Sequence, residues 1–381
     1  VAGSAAAAYG LRNLSSSYTG NVVEVRRSSD DTTQNFTAAE ITDGTLLAFV
    51  NTDVDLVTPT FNNGGFEDGL TGWTSSNGVV LDTSVAYAGN NSARMDIVSG
   101  GFKSLNKDIL EVGKEYKVTF FAKASDASKE IRVDFGSGNL NSVGFSSTDW
   151  EFKEVTGVAT GNGIFRFSRS STGDYSINID NVTITSLGRD GFVKTWYDQS
   201  GNSNNAAQAT ASSQPKIVSA GAYLGEVDFG GTDDVLNFTS IDFSTNPWFA
   251  ASVFKYDNTA STIIGGGSTQ WITNVGSSSN YSARNTQDSA IHNFTASPAF
   301  VNGSTNLVTV FRTGDTLSGS ANGNLDATAD PVIESNDTFQ ADRLSLRAST
   351  YGTFSIKEVI IYNSDQSDKR RAIEESIATA N

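Results

Sequence analysis

Short runs of alternating apolar and polar residues, separated by turn clusters, fill most of this sequence and constrain its fold more than any other feature. The alternating residues are mostly β-branched or aromatic, and the clusters between them contain Gly, Asn, Ser and Asp. Such runs place one face of a strand toward a core and the other toward solvent. Examples are residues 117–122, 131–135, 176–184, 253–256, 307–311 and 356–362. The pattern predicts an all-β protein of sandwich or jelly-roll domains.

Helical signals are confined to the N- and C-terminal segments. Apolar residues every three to four positions predict a short amphipathic helix over residues 5–14. Thr37, with Glu40 three residues later, indicates a capping box that begins a second helix. A third helix is expected over residues 368–378, with isoleucines on one face and basic residues facing outward before them.

The length of the chain favours more than one domain. One hydrophobic core seldom serves 381 residues. A polar stretch at 51–59 and a glycine-bearing stretch at 187–191 interrupt the strand pattern. The segment between them has about the size of one sandwich domain, since domains commonly contain about 100–150 residues. We therefore expect one domain over 52–188, inserted into a discontinuous domain formed by 1–51 and 189–381.

Composition excludes several classes of site. The chain has no cysteine, which excludes disulfides, zinc–thiolate sites and a cysteine nucleophile, and His292 is its only histidine. With 26 basic and 42 acidic residues the net charge is −16, which argues against nucleic-acid and anionic-membrane partners. No long apolar run or signal-like segment occurs, so no membrane insertion is expected, and the start at Val1 suggests processing. The acidic, Ser-, Thr-, Asn- and Gly-rich composition favours an extracellular or virion-surface location.

The middle segment carries the motifs of a carbohydrate-binding module. It opens with FNNGGFEDGLTGW at 61–73 and closes with INIDNVTI at 177–184. Between these lie the segments 87–95, 116–124 and 150–152. In this order they resemble the galactose-binding-like jelly roll that cellulose- and xylan-binding modules share. The resemblance implies a glycan ligand without specifying which one.

The same resemblance implies a structural calcium ion bound by Glu67 and Asp180, because the opening glutamate and closing aspartate often share one ion in that family. Two carboxylates with backbone carbonyls would supply the oxygen ligands that calcium requires. The alternative is that both carboxylates only accept N–H bonds from turns. Trp73 and Trp150 are candidate platforms for stacking a sugar ring, and core packing is the alternative for both.

The flanking segments resemble one domain that has been interrupted. VRRSSD at 25–30 and YDQSGNSNN at 197–205 together resemble the catalytic β-sandwich of fungal-type arabinofuranosidase B. They also resemble modules of that type in phage virion proteins and marine bacterial surface proteins. Residues 225–236 and 352–363 resemble the first and last strands of a concanavalin-like (laminin-G-type) sandwich. The implied fold is a concanavalin-like sandwich with a nested jelly roll.

The acidic residues do not form a glycosidase pattern. Such enzymes need two carboxyl groups about 5–10 Å apart across the sugar. Glu226 and Asp228 share a strand face, but no third acid follows, and Asp233 and Asp234 lie in an evident turn. Residues 249–257 lack the cysteine pair that follows the nucleophilic glutamate of arabinofuranosidase B. The sequence therefore predicts a protein without catalytic residues.

Three loop regions supply further candidates. Asp198 opens an Asn-rich loop, which either holds a calcium ion or satisfies its own turns. His292 has no partner histidine and is expected at the surface or in a loop. Trp271 and Tyr281, in the Gly-, Ser- and Asn-rich segment 265–281, are candidates for a solvent-facing, glycan-binding surface.

The function that these patterns favour is non-catalytic glycan binding or adhesion at a virion or cell surface, of the phage fibre or decoration type. The expected partners are a polysaccharide or cell-surface glycan, other virion or surface proteins, and further copies of the chain in a homo-oligomer. Many copies would strengthen weak single sites through avidity. Two alternatives stay open: a purely structural capsid or fibre component without a ligand, and a glycoside hydrolase acting on arabinose-containing or algal polysaccharide.

Overall fold

A computed structural model describes residues 4–381 except 56–60, 77, 99–100, 137–139, 171–172, 244–246, 258–260, 267–269, 285–290, 315, 327–329, 332–339 and 348–349. Parts of the predicted boundary stretch 51–59 and of the segment 265–281 thus lie outside the described residues. Antiparallel strands make up most of the regular structure, which confirms the all-β prediction. None of the described helices is long and apolar enough to cross a membrane.

The chain divides into two compact units. The outer unit contains Val1–Arg27, Asp31–Val50 and Asp190–Asn381, and the inserted unit contains Ser28–Asp30 and Asn51–Arg189. Each unit encloses a large hydrophobic core of its own.

The outer unit holds three α-helices and its strands lie on both sides of the insertion. The helices are α1 (Ala38–Thr42), α2 (Thr45–Val50) and α3 (Arg370–Ala380). The strands are β1 (Ala7–Gly10), β2 (Val23–Arg27), β3 (Thr33–Phe36), β15 (Gly191–Trp196), β16 (Ala206–Ala207), β17 (Lys216–Ser219), β18 (Ala222–Gly230), β19 (Leu236–Asp242), β20 (Trp248–Lys255), β21 (Ser261–Gly266), β22 (Gln270–Ser277), β23 (Asn280–Arg284), β24 (Ile291–Thr295), β25 (Thr305–Thr313), β26 (Thr316–Ala321), β27 (Asn324–Leu325), β28 (Asp330–Pro331), β29 (Gln340–Leu344), β30 (Leu346–Arg347), β31 (Thr350–Tyr351) and β32 (Thr353–Tyr362).

The inserted unit contains the intervening strands. They are β4 (Val54–Asp55), β5 (Thr74–Ser75), β6 (Val79–Asp82), β7 (Ser92–Ile97), β8 (Phe102–Asp108), β9 (Glu115–Ala124), β10 (Glu130–Phe135), β11 (Leu140–Gly144), β12 (Glu151–Val158), β13 (Ile164–Ser170) and β14 (Tyr175–Ser186).

The two parts of the outer unit are joined by strand pairing. Strand β2 pairs antiparallel with β15, and β1 pairs antiparallel with β32 near the C-terminus. The rings of Tyr9 and Trp196 lie 6.0 Å apart in the core. Helix α3 packs Ile373 and Ile377 against a second apolar cluster on the other side of β20, β25 and β32. The first fifty residues therefore complete a fold whose remainder begins at Asp190.

The helix predicted over residues 5–14 is wrong, because Ala7–Gly10 is strand β1. All four residues of β1 are buried. Ala7 and Tyr9 belong to the main core, whereas Ala8 faces the cluster under α3. A strand that is covered on both faces loses the apolar–polar alternation that identifies strands in a sequence.

The other two helical predictions are confirmed. Thr37 caps α1, its side chain accepts the N–H of Glu40, and the Glu40 carboxylate accepts the N–H of Thr37 at 2.8 Å. Helix α3 follows a 3₁₀ turn at Ser367–Lys369 and ends two residues later than predicted. Helix ends are where local patterns define structure least sharply.

Two antiparallel sheets form the inserted unit. The β9 sheet has the order β12-β9-β14-β7-β6, with β4 added to β14, and the β13 sheet has the order β11-β10-β13-β8-β5. Alternate residues of β9 are buried, from Tyr116 through Phe120 to Ala124, as expected for a half-buried strand. In both sheets, the residues that alternate with the buried ones along a strand therefore point away from the core.

The opening and closing motifs of the inserted unit meet at Gly64. Its carbonyl accepts the N–H of Val182 at 2.9 Å. A Cβ atom on Gly64 would lie 2.1 Å from the Val182 carbonyl oxygen, so only glycine permits this approach. The two motifs, far apart in the sequence, are thus neighbours in space.

Candidate functional site

The predicted solvent-facing surface around Trp271 and Tyr281 is wrong. Trp271 is 1% exposed and Tyr281 is 0% exposed, and both lie on strands of the outer-unit core. A Cβ atom on Gly266 would lie 1.7 Å from the Gln340 carbonyl oxygen. Glycine in this segment marks a close approach between backbones and not an open loop.

The predictions for Trp73, His292 and Trp150 have different outcomes. Trp73 is buried in the core of the inserted unit and donates its Nε1–H to the Asn63 carbonyl at 3.1 Å, so its role as a sugar platform is wrong. His292 lies in β24 and is buried, which contradicts the predicted surface or loop position. Its strand alternates buried and exposed residues, and His292 occupies a buried position. Trp150 is half-buried and its ring remains accessible.

Glu67 and Asp180 hold one loop, residues 83–91 between β6 and β7. The buried Asp180 carboxylate accepts the backbone N–H groups of Tyr87 at 2.8 Å and Ala88 at 3.0 Å. The Glu67 carboxylate accepts those of Asn90 at 2.9 Å and Asn91 at 3.0 Å. These bonds are the turn interactions named as the alternative to calcium. The two arrangements are compatible, because a carboxylate oxygen has two lone pairs.

The electrostatics of Asp180 fit a cation in part. Burial raises the pKa of Asp180, bonds from backbone N–H groups lower it, and the nearby charge of Glu67 raises it further. A cation beside two carboxylates would relieve that repulsion. Among the residues that the structure describes, no three His, Asp or Glu side chains cluster for a metal ion. Backbone carbonyls would have to complete the ligand set.

Asp82 is expected to make the inserted unit less stable in acid. Burial alone would raise its pKa, but bonds from Ser84, Asn178 and Arg94 outweigh burial and hold the pKa well below its usual value. A depressed folded-state pKa gives stability that is present above the unfolded-state pKa, about 3.9, and is lost as the pH falls below it. Thermal unfolding of Asp82→Asn should show a loss of about 2 kcal/mol at pH 7 that shrinks at pH 3.

The exposed Asp108 provides the matched control for that measurement. Asp108→Asn should leave the unfolding temperature nearly unchanged at both pH values. An Asp82→Asn deficit of equal size at pH 7 and pH 3 would contradict the prediction, because it would mean that the Asp82 charge does not contribute.

A set of six polar residues forms one side of the β13 sheet; three of them are half-buried, and Ser104, Asp134 and Ser168 are buried. We call it the polar face, and it consists of Ser104, Asn106, Arg132, Asp134, Arg166 and Ser168. Strand register pairs Asn106 with Arg166 and Arg166 with Asp134, and a second row runs from Ser104 through Ser168 to Arg132. Leu105, Val133 and Phe167, which alternate with them along the three strands, belong to the core. The two rows therefore place amide, guanidinium, carboxylate and hydroxyl groups side by side.

Arg166 is fixed within this face and Arg132 is not. Arg166 donates from Nε to Asn106 Oδ1 at 3.1 Å and pairs through a terminal nitrogen with Asp134 Oδ2 at 3.5 Å. Asp134 is 2% exposed, and burial raises its pKa against the effect of Arg166. The half-buried Arg132 makes no hydrogen bond or ion pair with any residue that the structure describes. Its guanidinium donors are thus available beside a preorganised row.

Four rings form a second feature, on the outward side of the β9 sheet. This aromatic cluster consists of Tyr87, Phe121, Trp150 and Phe152. Tyr87 stacks on Phe121 with centroids 3.5 Å apart and 10° between planes. Trp150 stands at 65° to Tyr87, and Phe152 stands at 62° to Phe121. Tyr87 is 44% exposed and Phe152 is 56% exposed.

Sequence reasoning missed most of both features, although signals for them were present. The doublet Phe120-Phe121 must place one ring on each face of a strand, so one ring had to lie outside the core. Arg132 and Asp134 alternate with core residues in a recognised strand. What the sequence did not contain was the register that aligns them with Asn106 and Arg166.

The acidic residues considered above as a possible glycosidase pattern have structural partners in the outer unit. Glu226 pairs with Lys255 at 3.3 Å, and Asp228 accepts a bond from Ser355 at 2.9 Å. Asp234 accepts the N–H of Gly230 at 2.6 Å, closing the predicted turn.

The Asp198 loop satisfies its own turns. The Asp198 carboxylate accepts backbone N–H groups of Ala8, Ser200 and Asn204 at 2.8–3.0 Å. The Ser200 hydroxyl donates to it at 2.7 Å. The loop thereby ties strand β1 to the segment that follows β15.

Part of the inserted unit is similar to a known family of carbohydrate-binding domains. Residues 58–162 match a family model described as a carbohydrate binding domain. The matched segment includes Glu67, the aromatic cluster and four of the six polar-face residues, and it covers less than half of the chain. No curated protein matches the sequence.

Several solved structures resemble parts of the chain. A family 16 carbohydrate-binding module is 20% identical, with 33% of this chain and 98% of that chain covered and a TM-score of 0.28. The N-terminal CBM22-1–CBM22-2 tandem domain of Paenibacillus barcinonensis Xyn10C is 13% identical, with 78% and 95% covered and a TM-score of 0.27. A Trypanosoma rangeli sialidase is 10% identical, with 78% and 52% covered and a TM-score of 0.35.

Proposed function

We propose that the inserted unit binds a glycan on its polar face and that the protein acts as a non-catalytic adhesion protein. The observation that carries this proposal is the guanidinium of Arg132, which makes no hydrogen bond or ion pair with the described residues and lies beside the fixed row Asn106–Arg166–Asp134. The face belongs to a unit whose sequence matches a carbohydrate binding domain over most of its length.

The chemistry of the face suits sugar hydroxyl groups. Each hydroxyl donates one hydrogen bond and accepts others, so it is best held by donors and acceptors placed together. Guanidinium groups supply several donors in a fixed plane, and the half-buried Asn106 supplies an amide oxygen with a second lone pair. Because Asn106 and Asp134 already hold Arg166, little side-chain freedom is lost when a ligand binds.

Binding of the full chain to a panel of oligosaccharides tests the proposal. Cellohexaose, xylohexaose and arabinohexaose are suitable probes for isothermal titration calorimetry. We expect at least one probe to bind with micromolar to millimolar affinity and to be recovered intact. Absence of binding to glycans of every backbone type would refute glycan recognition, and release of reducing sugar would refute the non-catalytic assignment.

The proposed setting is an extracellular or virion surface, where single sites of this strength act together. A homo-oligomer or a multivalent display raises the effective concentration of the second site once the first is bound. Partners are then a polysaccharide or cell-surface glycan together with other proteins of the same surface.

Calcium is proposed as a stabilising ligand of Glu67 and Asp180. An ion that binds only the folded state raises the unfolding temperature. After treatment with EDTA, added calcium chloride should raise the unfolding temperature of the full chain by several degrees, and magnesium chloride should have a smaller effect. Glu67→Gln should remove the calcium effect. An unchanged unfolding temperature would mean that the two carboxylates serve only the backbone of loop 83–91.

A further inference from the structure

We propose that the aromatic cluster is a second glycan-contact site, which holds the flat C–H face of a pyranose ring against Tyr87 and Trp150. This inference rests on the proposed function for the class of ligand, but it concerns different residues on the other sheet of the inserted unit. It also assigns a role to the loop that Glu67 and Asp180 hold.

The geometry of the cluster leaves an open corner. Phe121 covers one face of the Tyr87 ring at 3.5 Å, so the exposed part of that ring is its opposite face and its edge. Trp150 stands at 65° to the Tyr87 plane with its centroid 5.9 Å away. The Tyr87 ring thus offers a flat surface, and the Trp150 ring bounds it on one side. A pyranose ring can pack its C–H groups against the Tyr87 ring while its hydroxyl groups project outward.

A polar group lies on the same strand face. Lys123 follows Phe121 by two residues on β9, so both side chains point outward. Lys123 is half-buried and makes no hydrogen bond or ion pair with the described part of the chain. Its ammonium group is available to donate to a sugar hydroxyl. Aromatic faces with a few polar groups around them are the usual lining of a small-ligand site.

The size of the cluster favours a sugar ring over a protein partner. A stable protein interface covers about 800 Å² on each side and involves about 20–30 residues. Four rings, two of them only half-exposed, offer far less apolar surface than that.

The loop that carries Tyr87 is held in place without a ligand. Asp180 accepts the N–H of Tyr87 itself, and Glu67 accepts two N–H groups on the far side of the same loop. Fixing a contact residue in advance removes the entropy that binding would otherwise lose. Asp180 and Glu67 are therefore positioning residues for this site.

Tryptophan fluorescence can report on this site separately from the polar face. Of the five tryptophans, all of which lie among the described residues, Trp150 alone is not buried. A sugar that packs against its ring changes its emission. Calorimetry in the same titration measures binding at either site, so the two readouts separate the polar face from the corner.

The test titrates the full-length wild-type protein and its variants with cellohexaose, xylohexaose and arabinohexaose. In wild type and in Arg132→Ala, at least one probe should give a saturable emission change. Tyr87→Ala should weaken that change about tenfold, the loss of one aromatic stacking contact. Tyr87→Phe, which keeps the ring, should retain most of the affinity, and Tyr223→Ala, an exposed tyrosine of the outer unit, is the matched control.

Tyr87→Leu covers the case in which the alanine variant disturbs the loop, because leucine keeps apolar bulk over Phe121 and removes the ring. An emission change of wild-type strength in a folded Tyr87→Leu protein would overturn the inference. Heat of binding without any emission change would also overturn it and would leave the polar face intact. Neither heat nor emission change with any probe would refute the proposed function, and this inference with it.

Discussion

Arg132→Ala is expected to weaken glycan binding at the polar face about 10- to 100-fold, measured in the full chain. The guanidinium of Arg132 has no partner among the described residues, so its donors are free for a ligand. Hydrogen bonds from charged groups contribute about 1.5–3 kcal/mol each, which corresponds to this loss of affinity. Because no hydrogen bond or ion pair with the described residues is removed, the unfolding temperature should change little. Calorimetry with the tightest-binding probe measures the effect.

Two variants sharpen that experiment. Arg132→Lys keeps the charge but not the planar set of donors, so it should recover only part of the affinity. Arg371→Ala, at an exposed position on α3, controls for the loss of one positive charge. Wild-type affinity in Arg132→Ala would place the ligand elsewhere. Arg166→Ala is less suitable, since it leaves the buried Asp134 without its ion-pair partner.

Asp198→Ala is expected to destabilise the outer unit by about 4 kcal/mol, within the range for removing one member of a buried charged network. Three backbone N–H groups and the Ser200 hydroxyl donate to this carboxylate, which is 5% exposed. Alanine leaves the buried N–H group of Ala8 and three part-buried donors without their acceptor. Thermal unfolding followed by circular dichroism should show a decrease of roughly 10 °C for a unit of this size.

Asp368→Ala is the matched control, because Asp368 is exposed in the same unit. Asp198→Asn keeps one acceptor oxygen and should lose about half as much stability. A loss below about 1 kcal/mol in Asp198→Ala would contradict the assigned role, since even one unsatisfied buried donor costs that much.

Local patterns predicted the elements whose two sides face different environments. The alternation in β9 and the capping box at Thr37 both report a difference between core and solvent within a few residues. Strand β1 was missed because its two sides are equally buried. Trp271 and Tyr281 were misplaced because a segment whose glycines allow strands to pack closely has the same amino-acid composition as an open loop.

The candidate sites depend on pairings that no local pattern contains. Arg132 was visible as an outward strand residue, but its neighbours Ser168 and Ser104 come from other strands, 36 and 28 positions away in the sequence. Tyr87 is held in position by a hydrogen bond from its N–H to Asp180, which lies 93 positions away in the sequence. Aromatic and charged residues could therefore be identified as candidates, while their grouping required the register of the sheets.

The pairing of β1 with β32 and of β2 with β15 governs the order in which the chain can fold during synthesis. As the polypeptide leaves the ribosome, the first fifty residues emerge without their partner strands. The inserted unit is complete once Arg189 has been translated, well before β32 exists. It can reach its native state first. Until β15 and β32 are made, the strand edges of β1 and β2 stay unpaired and can associate with other chains. Sequence changes that slow the emergence of the C-terminal strands should thus reduce the yield of folded protein. The protein that does fold should keep its structure and stability.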